Sequence, residues 1–267
     1  MRISKALQKL RAGQVVRVCS TGSYLPYFPH MAAHFGYDAV WVDAEHAAWN
    51  AREIAAMMAQ HHLADIDCVW RTGTLEKAGL SRLLEDGATA LMIPQVNTSE
   101  RAEHLVASTK YPPLGDRGLD GAGLDAGFWV NKPADYPQRA NRETFLVVQI
   151  ETPLAVENVD SIVAVEGVDV LFLGPGDLSL RLGCAPSLKE PKLAAALETM
   201  VAACKKHRKP WGLPVGSIED ARTIVEMGGQ FLVYGSEFMS VYKQLENCQS
   251  QLDSLLGKVP TRPATKR

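Results

Sequence analysis

The chain has 267 residues, 46% of them apolar and 22% charged, with a formal net charge of −2. Such a composition supports one large core and gives no electrostatic basis for binding nucleic acid or an anionic membrane surface. Five cysteines (Cys19, Cys68, Cys184, Cys204 and Cys248) without a CxxC spacing argue against a disulfide framework or a zinc site.

The chain opens on an amphipathic helical stretch, "MRISKALQKLRAG", with no signal-peptide core. Strand-like and helix-like segments then alternate. "QVVRVCSTG" (Gln14–Gly22) precedes "YFPHMAAHFG", and "YDAVWVDAEH" (Tyr37–His46) precedes "NAREIAAMMAQHHLA". "DCVWRTG" (Asp67–Gly73) and "ATALMIPQVN" (Ala88–Asn97) are each followed by a helical pattern. A Gly- and Pro-rich stretch from Tyr111 to Arg142 interrupts the rhythm. Long loops of this kind commonly serve as lids or subunit contacts, and Phe128 and Trp129 in it call for burial. The alternation resumes with "TFLVVQIET" (Thr144–Thr152), "VDVLFLGPGD" (Val168–Asp177), "PWGLPVGS" (Pro210–Ser217) and "QFLVYGSE" (Gln230–Glu237), each leading into a helical pattern.

The strands are continuous apolar runs, as in a parallel sheet covered by helices on its outside. Eight strand–helix units predict a closed (β/α)₈ barrel, a TIM barrel, as a single domain over residues 1–267, with 258–267 as a flexible tail. An open doubly wound sheet is the competitor, and no GxGxxG follows the first strand to favour it. The cluster Lys205, Lys206, His207, Arg208 and Lys209 closes a helix and suits its negative end. No apolar run reaches the roughly 18–20 residues of a membrane span, so the expected setting is the reducing cytoplasm.

Barrel enzymes gather reacting groups at the C-terminal ends of their strands. There this sequence places Asp43, Glu45 and His46, then Arg71, Gln95 and Asn97, Gln149 and Glu151, Asp177, and Ser236 with Glu237. Strands five and six are neighbours, so Glu151 and Asp177 are expected to point at one spot. Two carboxylates that close repel unless a cation or proton lies between them, and a hard divalent cation resolves the conflict. Arg71 suits a carboxylate or a developing oxyanion; its structural alternative is a salt bridge to Asp43 or Glu45. His46 is the histidine placed at a strand end and suits a general base, with Glu85 as a candidate to orient it. None of the 13 lysines falls on a strand, which argues against imine chemistry.

The segments "VDAEHA", Arg71, "GATALMIPQVNTSERA", "KYPPLGDRG", "VQIET" and "VEGVDVLFLGPGDLS" resemble those of the HpcH/HpaI family of class II pyruvate aldolases over roughly residues 5–240. The resemblance implies a barrel holding Mg²⁺ (or Mn²⁺ or Co²⁺) through Glu151 and Asp177, with Gln149 supporting and Gly176 and Asp177 contributing to substrate binding. It implies that Arg71 stabilises an enolate, and that His46, oriented by an acid, acts as base through a metal-bound water. The implied reaction is reversible aldol cleavage of a 4-hydroxy-2-oxo acid to pyruvate and an aldehyde. Its partners are then a small 2-oxo acid and an aldehyde, with no nucleic acid and no membrane. A homo-oligomer, a hexamer or trimer of dimers, is also implied, its last helix (Phe238–Leu256) exchanged between subunits. Another metal-enolate reaction, such as oxaloacetate decarboxylation, and a non-catalytic barrel are the alternatives. Departures from the family pattern are Glu85 in place of the usual aspartate, Cys19 and Ser20 where some members carry tryptophan, and a stretch "DGAGLDAGFW" without basic residues.

Overall fold

The computed structural model describes residues 2–257; the predicted tail at 258–267 lies outside them. Eight parallel strands close in sequence order: β1 (Val16–Thr21), β2 (Ala39–Asp43), β3 (Asp67–Arg71), β4 (Ala90–Ile93), β5 (Phe145–Ile150), β6 (Val170–Leu173), β7 (Trp211–Pro214) and β8 (Phe231–Ser236). The fold is a (β/α)₈ barrel, as the alternating segments predict.

Side chains alternate in and out along each strand. The inward set includes Val18, Ala39, Val69, Met92, Val147, Phe172, Phe231 and Val233, and it fills the cylinder. Helix α1 (Lys5–Arg11) plugs the N-terminal end by adding Ala6, Leu7 and Leu10 to that cluster. It is moored by the buried Asp67, which accepts from Ser4 Oγ at 2.7 Å and from the Ala6 amide at 2.8 Å. Outward-facing residues such as Val40, Leu91, Leu171 and Leu213 pack beneath the surrounding helices.

Those helices run α2 (Phe28–His34), α3 (Ala51–Leu63), α4 (Lys77–Glu85), α5 (Ser99–Thr109), α6 (Tyr136–Glu143), α7 (Pro153–Glu157), α8 (Val159–Ala164), α9 (Pro175–Leu182), α10 (Pro191–His207), α11 (Ile218–Glu226) and α12 (Glu237–Leu256). Two of them fall where helix signals are weak: α6 inside the long interruption, and α9, which absorbs "PGDLSLRL" immediately after β6. None of the described helices is long and apolar enough to cross a membrane.

The long interruption corrects an expectation. It follows α5 and precedes β5, so it lies at the N-terminal end of the barrel and cannot cover this chain's own C-terminal mouth. Phe128 and Trp129 are not buried either: they are 60% and 66% exposed, both with positive φ. The segment is anchored instead through Arg117, Asp125 and Tyr136. Arg117 lies 3.2 Å from Asp125, and the Tyr136 hydroxyl donates to the same carboxylate.

Candidate active site

The C-terminal mouth is built around Glu151, the residue directly after β5, which is 2% exposed. Its Oε1 accepts from the Gln95 amide at 2.8 Å and its Oε2 from Gln149 Nε2 at 3.1 Å. Gln95 holds that amide in place with a φ of 52°, a left-handed conformation that costs a non-glycine residue on the order of 1 kcal/mol or more and clusters at functional sites. The Oε1 of Gln149 is buried and has no partner. At Gly174, the residue before α9, a Cβ would overlap Glu151 Oε2, so only glycine lets the carboxylate sit there.

Burial pushes the Glu151 carboxyl up to about 7. The Gln95 amide opposes this; the charges of Asp177 and Glu45 reinforce it, and Arg71 lowers it. The charge of Asp177 thus reaches Glu151, but Asp177 does not end β6 as the sequence suggests. That strand stops at Leu173, and Asp177 is the third residue of α9. A proline at the first helical position starts the helix, so the acid projects from its first turn rather than from the sheet. Arg181, one helical turn on, pairs with Asp177 at 2.9 Å and reaches the Glu151 carbonyl at 3.3 Å. The i, i+4 spacing of Asp177 and Arg181 was visible in the sequence, but without the helix it had no meaning.

Across the mouth Arg71, the last residue of β3 and 8% exposed, grips two acids. Its Nε donates to Asp43 Oδ1 at 3.0 Å and its Nη2 to Asp43 Oδ2 at 2.7 Å, while Nη1 lies 3.2 Å from Glu45 Oε2. The guanidinium stacks 4.6 Å from the centre of the Trp41 ring. The structural salt bridge expected as an alternative is thus formed, to both acids at once. Burial works against ionisation of Asp43, but the hydrogen bonds and charge of Arg71, with the amides of Glu45 and His46, outweigh it and hold that carboxyl below its usual range. Sequence reasoning missed Trp41; its alternation with Asp43 on β2 marks it as inward-facing.

His46 lies in the turn after β2 with its side chain 64% exposed, 3.7 Å from Glu45. Glu85 is not beside it. As the last residue of α4, just before β4, Glu85 belongs to the N-terminal end of the barrel, where it lines a crevice with His62, Arg82 and Asp120. Burial raises its carboxyl, with Asp120 and Asp125 adding to the effect and Arg117 opposing it. Within one chain Glu85 cannot orient His46. Gly176, the second residue of α9, faces open space, and its amide is among the first-turn donors that the helix leaves free.

The described residues include no group of three or more His, Cys, Asp or Glu side chains arranged to hold a metal. A cation here would rest on two carboxylates, with further positions open. The donor set fits that role: a carboxyl raised to about 7 by burial, with the charges of Asp177 and Glu45 adding to the rise, a second acid with one oxygen unpaired, and an orphaned amide oxygen on Gln149.

Gly174→Ala is expected to displace Glu151 and lower turnover about a hundredfold, as ångström-scale misplacement of a reacting group does. Steady-state rates alongside a near-native circular dichroism spectrum check this.

A closed (β/α)₈ barrel whose mouth opposes a two-carboxylate cradle to a buried arginine has the layout of a barrel enzyme. The model of the HpcH/HpaI aldolase/citrate lyase family matches residues 18–243, and the chain belongs to that family. It is 33% identical over 228 residues to a 5-keto-4-deoxy-D-glucarate aldolase of Klebsiella pneumoniae, covering 85% of this chain and 88% of the relative. It is 31% identical over 243 residues to a hydroxypyruvate/pyruvate aldolase of Pseudomonas aeruginosa, covering 91% and 90%. The crystal structure of an HpcH/HpaI aldolase from Desulfitobacterium hafniense superposes with a TM-score of 0.89 at 32% identity, over 97% of this chain and all of that one. The protein is accordingly a carbon–carbon lyase of the aldolase type.

Proposed function

We propose that the enzyme cleaves a 4-hydroxy-2-oxo acid reversibly into pyruvate, or a related 2-oxo acid, and an aldehyde, with a divalent cation, Mg²⁺ first among candidates, held by Glu151 and Asp177. The observation that carries this reading is the Glu151 cradle, a buried carboxyl fixed by two donors and raised to about 7 chiefly by burial, with the charge of Asp177 adding to the rise. When bound, the cation supplies Lewis-acid polarisation of a 2-oxo group. The chain's residues supply the rest. The free amides at the start of α9, Gly176 among them, and the Gln149 side chain bind and orient the 2-oxo acid. Arg71 holds the oxygen on which negative charge develops as the C3–C4 bond breaks. His46 takes the proton of the 4-hydroxyl, and the bonding electrons pass to the enolate, which is reprotonated at C3 to give pyruvate.

The test is a panel of aldehydes with pyruvate, run with and without EDTA. Condensation that EDTA abolishes and Mg²⁺ restores supports the reading; EDTA-resistant turnover, or none with any aldehyde, overturns it. The five cysteines are all unpaired, which supports a reducing, cytoplasmic setting.

Assembly is part of the same proposal. Helix α12 buries only Glu237 and exposes Phe238, Tyr242, Leu245, Leu252 and Leu255, an apolar face too long to be left in water. Beside its base lies an open groove of about 730 Å³ lined by Phe28, Met31, Phe35, Ile218 and Tyr234. We place the α12 of a second copy there. In such an assembly Glu85, at the wrong end of its own barrel, would reach a histidine only in a neighbouring protomer. Leu245→Asp with Leu252→Asp is expected to convert the oligomer into smaller species by light scattering; an unchanged mass would contradict the exchange.

A further inference from the structure

The floor of the mouth carries a tryptophan whose polar atom is unused there. Trp41 faces inward on β2, two residues before Asp43 and level with Ser20 of β1, and it packs on the apolar filling of the cylinder. Its Nε1 is shielded from solvent and has no hydrogen-bond partner among the described residues. Burying a donor without an acceptor is destabilising, and an aliphatic side chain would fill this inward position without that penalty. What the indole adds is its face. Arg71 stands directly opposite Asp43 in the β2–β3 pairing, one inward position beyond Trp41, and its guanidinium lies over the indole, 4.6 Å from the ring centre.

Arg71 meets its two acids along the edge of the guanidinium. Nε and Nη2 donate to Asp43 and Nη1 faces Glu45, which commits three of the five N–H groups and leaves two for an oxygen of the substrate. Contacts at the edge fix where the guanidinium is but resist tilting of its plane only weakly, because hydrogen bonds tolerate a broad range of directions at an oxygen. A flat ring against the face resists tilting directly. That ring is itself held edge to face. Trp41 meets Phe172 with centroids 5.6 Å apart, Phe172 meets Phe231 at 6.0 Å, and Phe231 meets Phe145 at 6.4 Å. The four rings form an aromatic column through the close-packed interior, with the arginine at its head.

We propose that Trp41 is a positioning residue for the aldol reaction: its ring face fixes the plane of Arg71, and with it the direction of the two free N–H groups that meet the oxygen on which charge develops. The inference rests on the role given to Arg71 above. Trp41 acts through Arg71 alone and needs no contact with the substrate.

The experiment is a double-mutant cycle on enolate formation. Exchange of the pyruvate C3 hydrogens in deuterium oxide with Mg²⁺, followed by proton nuclear magnetic resonance, reads that step without an aldehyde. Wild type, Trp41→Leu, Trp41→Phe, Arg71→Lys and the Trp41→Leu/Arg71→Lys double variant are compared. Trp41→Leu should slow exchange about tenfold, the scale of a partly desolvated cation–π contact, through kcat rather than KM. Trp41→Phe keeps a ring face and should recover most of that loss. In the Arg71→Lys background Trp41→Leu should cost less than about twofold, because an ammonium has no plane to fix. Should the leucine variant fail to fold by circular dichroism, Trp41→Met completes the same cycle. A wild-type rate in Trp41→Leu, an equal cost in both backgrounds, or a phenylalanine variant as slow as the leucine one overturns the positioning role while that of Arg71 stands. A wild-type rate in Arg71→Lys removes the role of Arg71 and this inference with it. No exchange by wild type overturns the enolate reading itself.

Discussion

Glu151→Gln is expected to lower kcat/KM for aldol cleavage at least about a thousandfold, the scale on which removing a preorganised charge from a reacting centre acts. The same variant should change how stability depends on pH. In the metal-free protein the Glu151 carboxyl is raised from its ordinary 4.5 to about 7. Below about 4.5 it is protonated in both the folded and the unfolded chain, and above about 7 it is ionised in both. Between these limits the unfolded chain releases a proton that the folded chain retains, so metal-free wild type loses stability as pH rises through that window. The loss has an upper scale of about 3 kcal/mol. Glu151→Gln has no proton to release and should lack this component. Metal-free thermal unfolding of both proteins at pH 5 and pH 8 measures it: the variant should gain on wild type at pH 8, and Mg²⁺ should raise the wild-type midpoint there. Parallel pH dependence in the two proteins would remove Glu151 from the account.

Arg71→Lys is expected to cost about a hundredfold or more in kcat/KM although the charge is kept. The arginine meets Asp43 through two bonds and Glu45 through a third while its guanidinium lies over the Trp41 ring. A lysine ammonium cannot make that fork or that stack. The Asp43 carboxyl, held low chiefly against its own burial by Arg71, should then titrate at higher pH, moving the acidic limb of the pH–rate profile upward. Near wild-type rates in the lysine variant would show that Arg71 serves only to fasten Asp43 and Glu45.

The barrel was legible because each strand is a continuous apolar run closed by a polar residue, and because the helices between them carry caps and periodic apolar faces. Much of the mouth followed from the same pattern: Asp43, Arg71, Gln149 and Glu151 all stand at strand ends facing inward. Asp177 reads as a strand-end acid but stands on α9, since "GPGD" does not show whether a strand continues or a helix begins until the proline is read as a first helical residue. The places of Glu85 and of the stretch from Tyr111 to Arg142 have one physical reason. Both precede a strand, and in a (β/α)₈ barrel whatever precedes a strand lies at the end opposite the mouth. The exposure of Phe128 and Trp129 was not legible, because an apolar residue shows that it needs cover without showing what provides it.

In the proposed reaction Glu151 and Asp177 together hold one divalent cation. Mn²⁺ titration of the metal-free protein, followed by electron paramagnetic resonance, tests it most directly. One site per protomer is expected in wild type, with loss of that site in both Glu151→Gln and Asp177→Asn and release of a proton on binding below about pH 7. Undiminished Mn²⁺ affinity in either variant, or no bound Mn²⁺ in wild type, would contradict it.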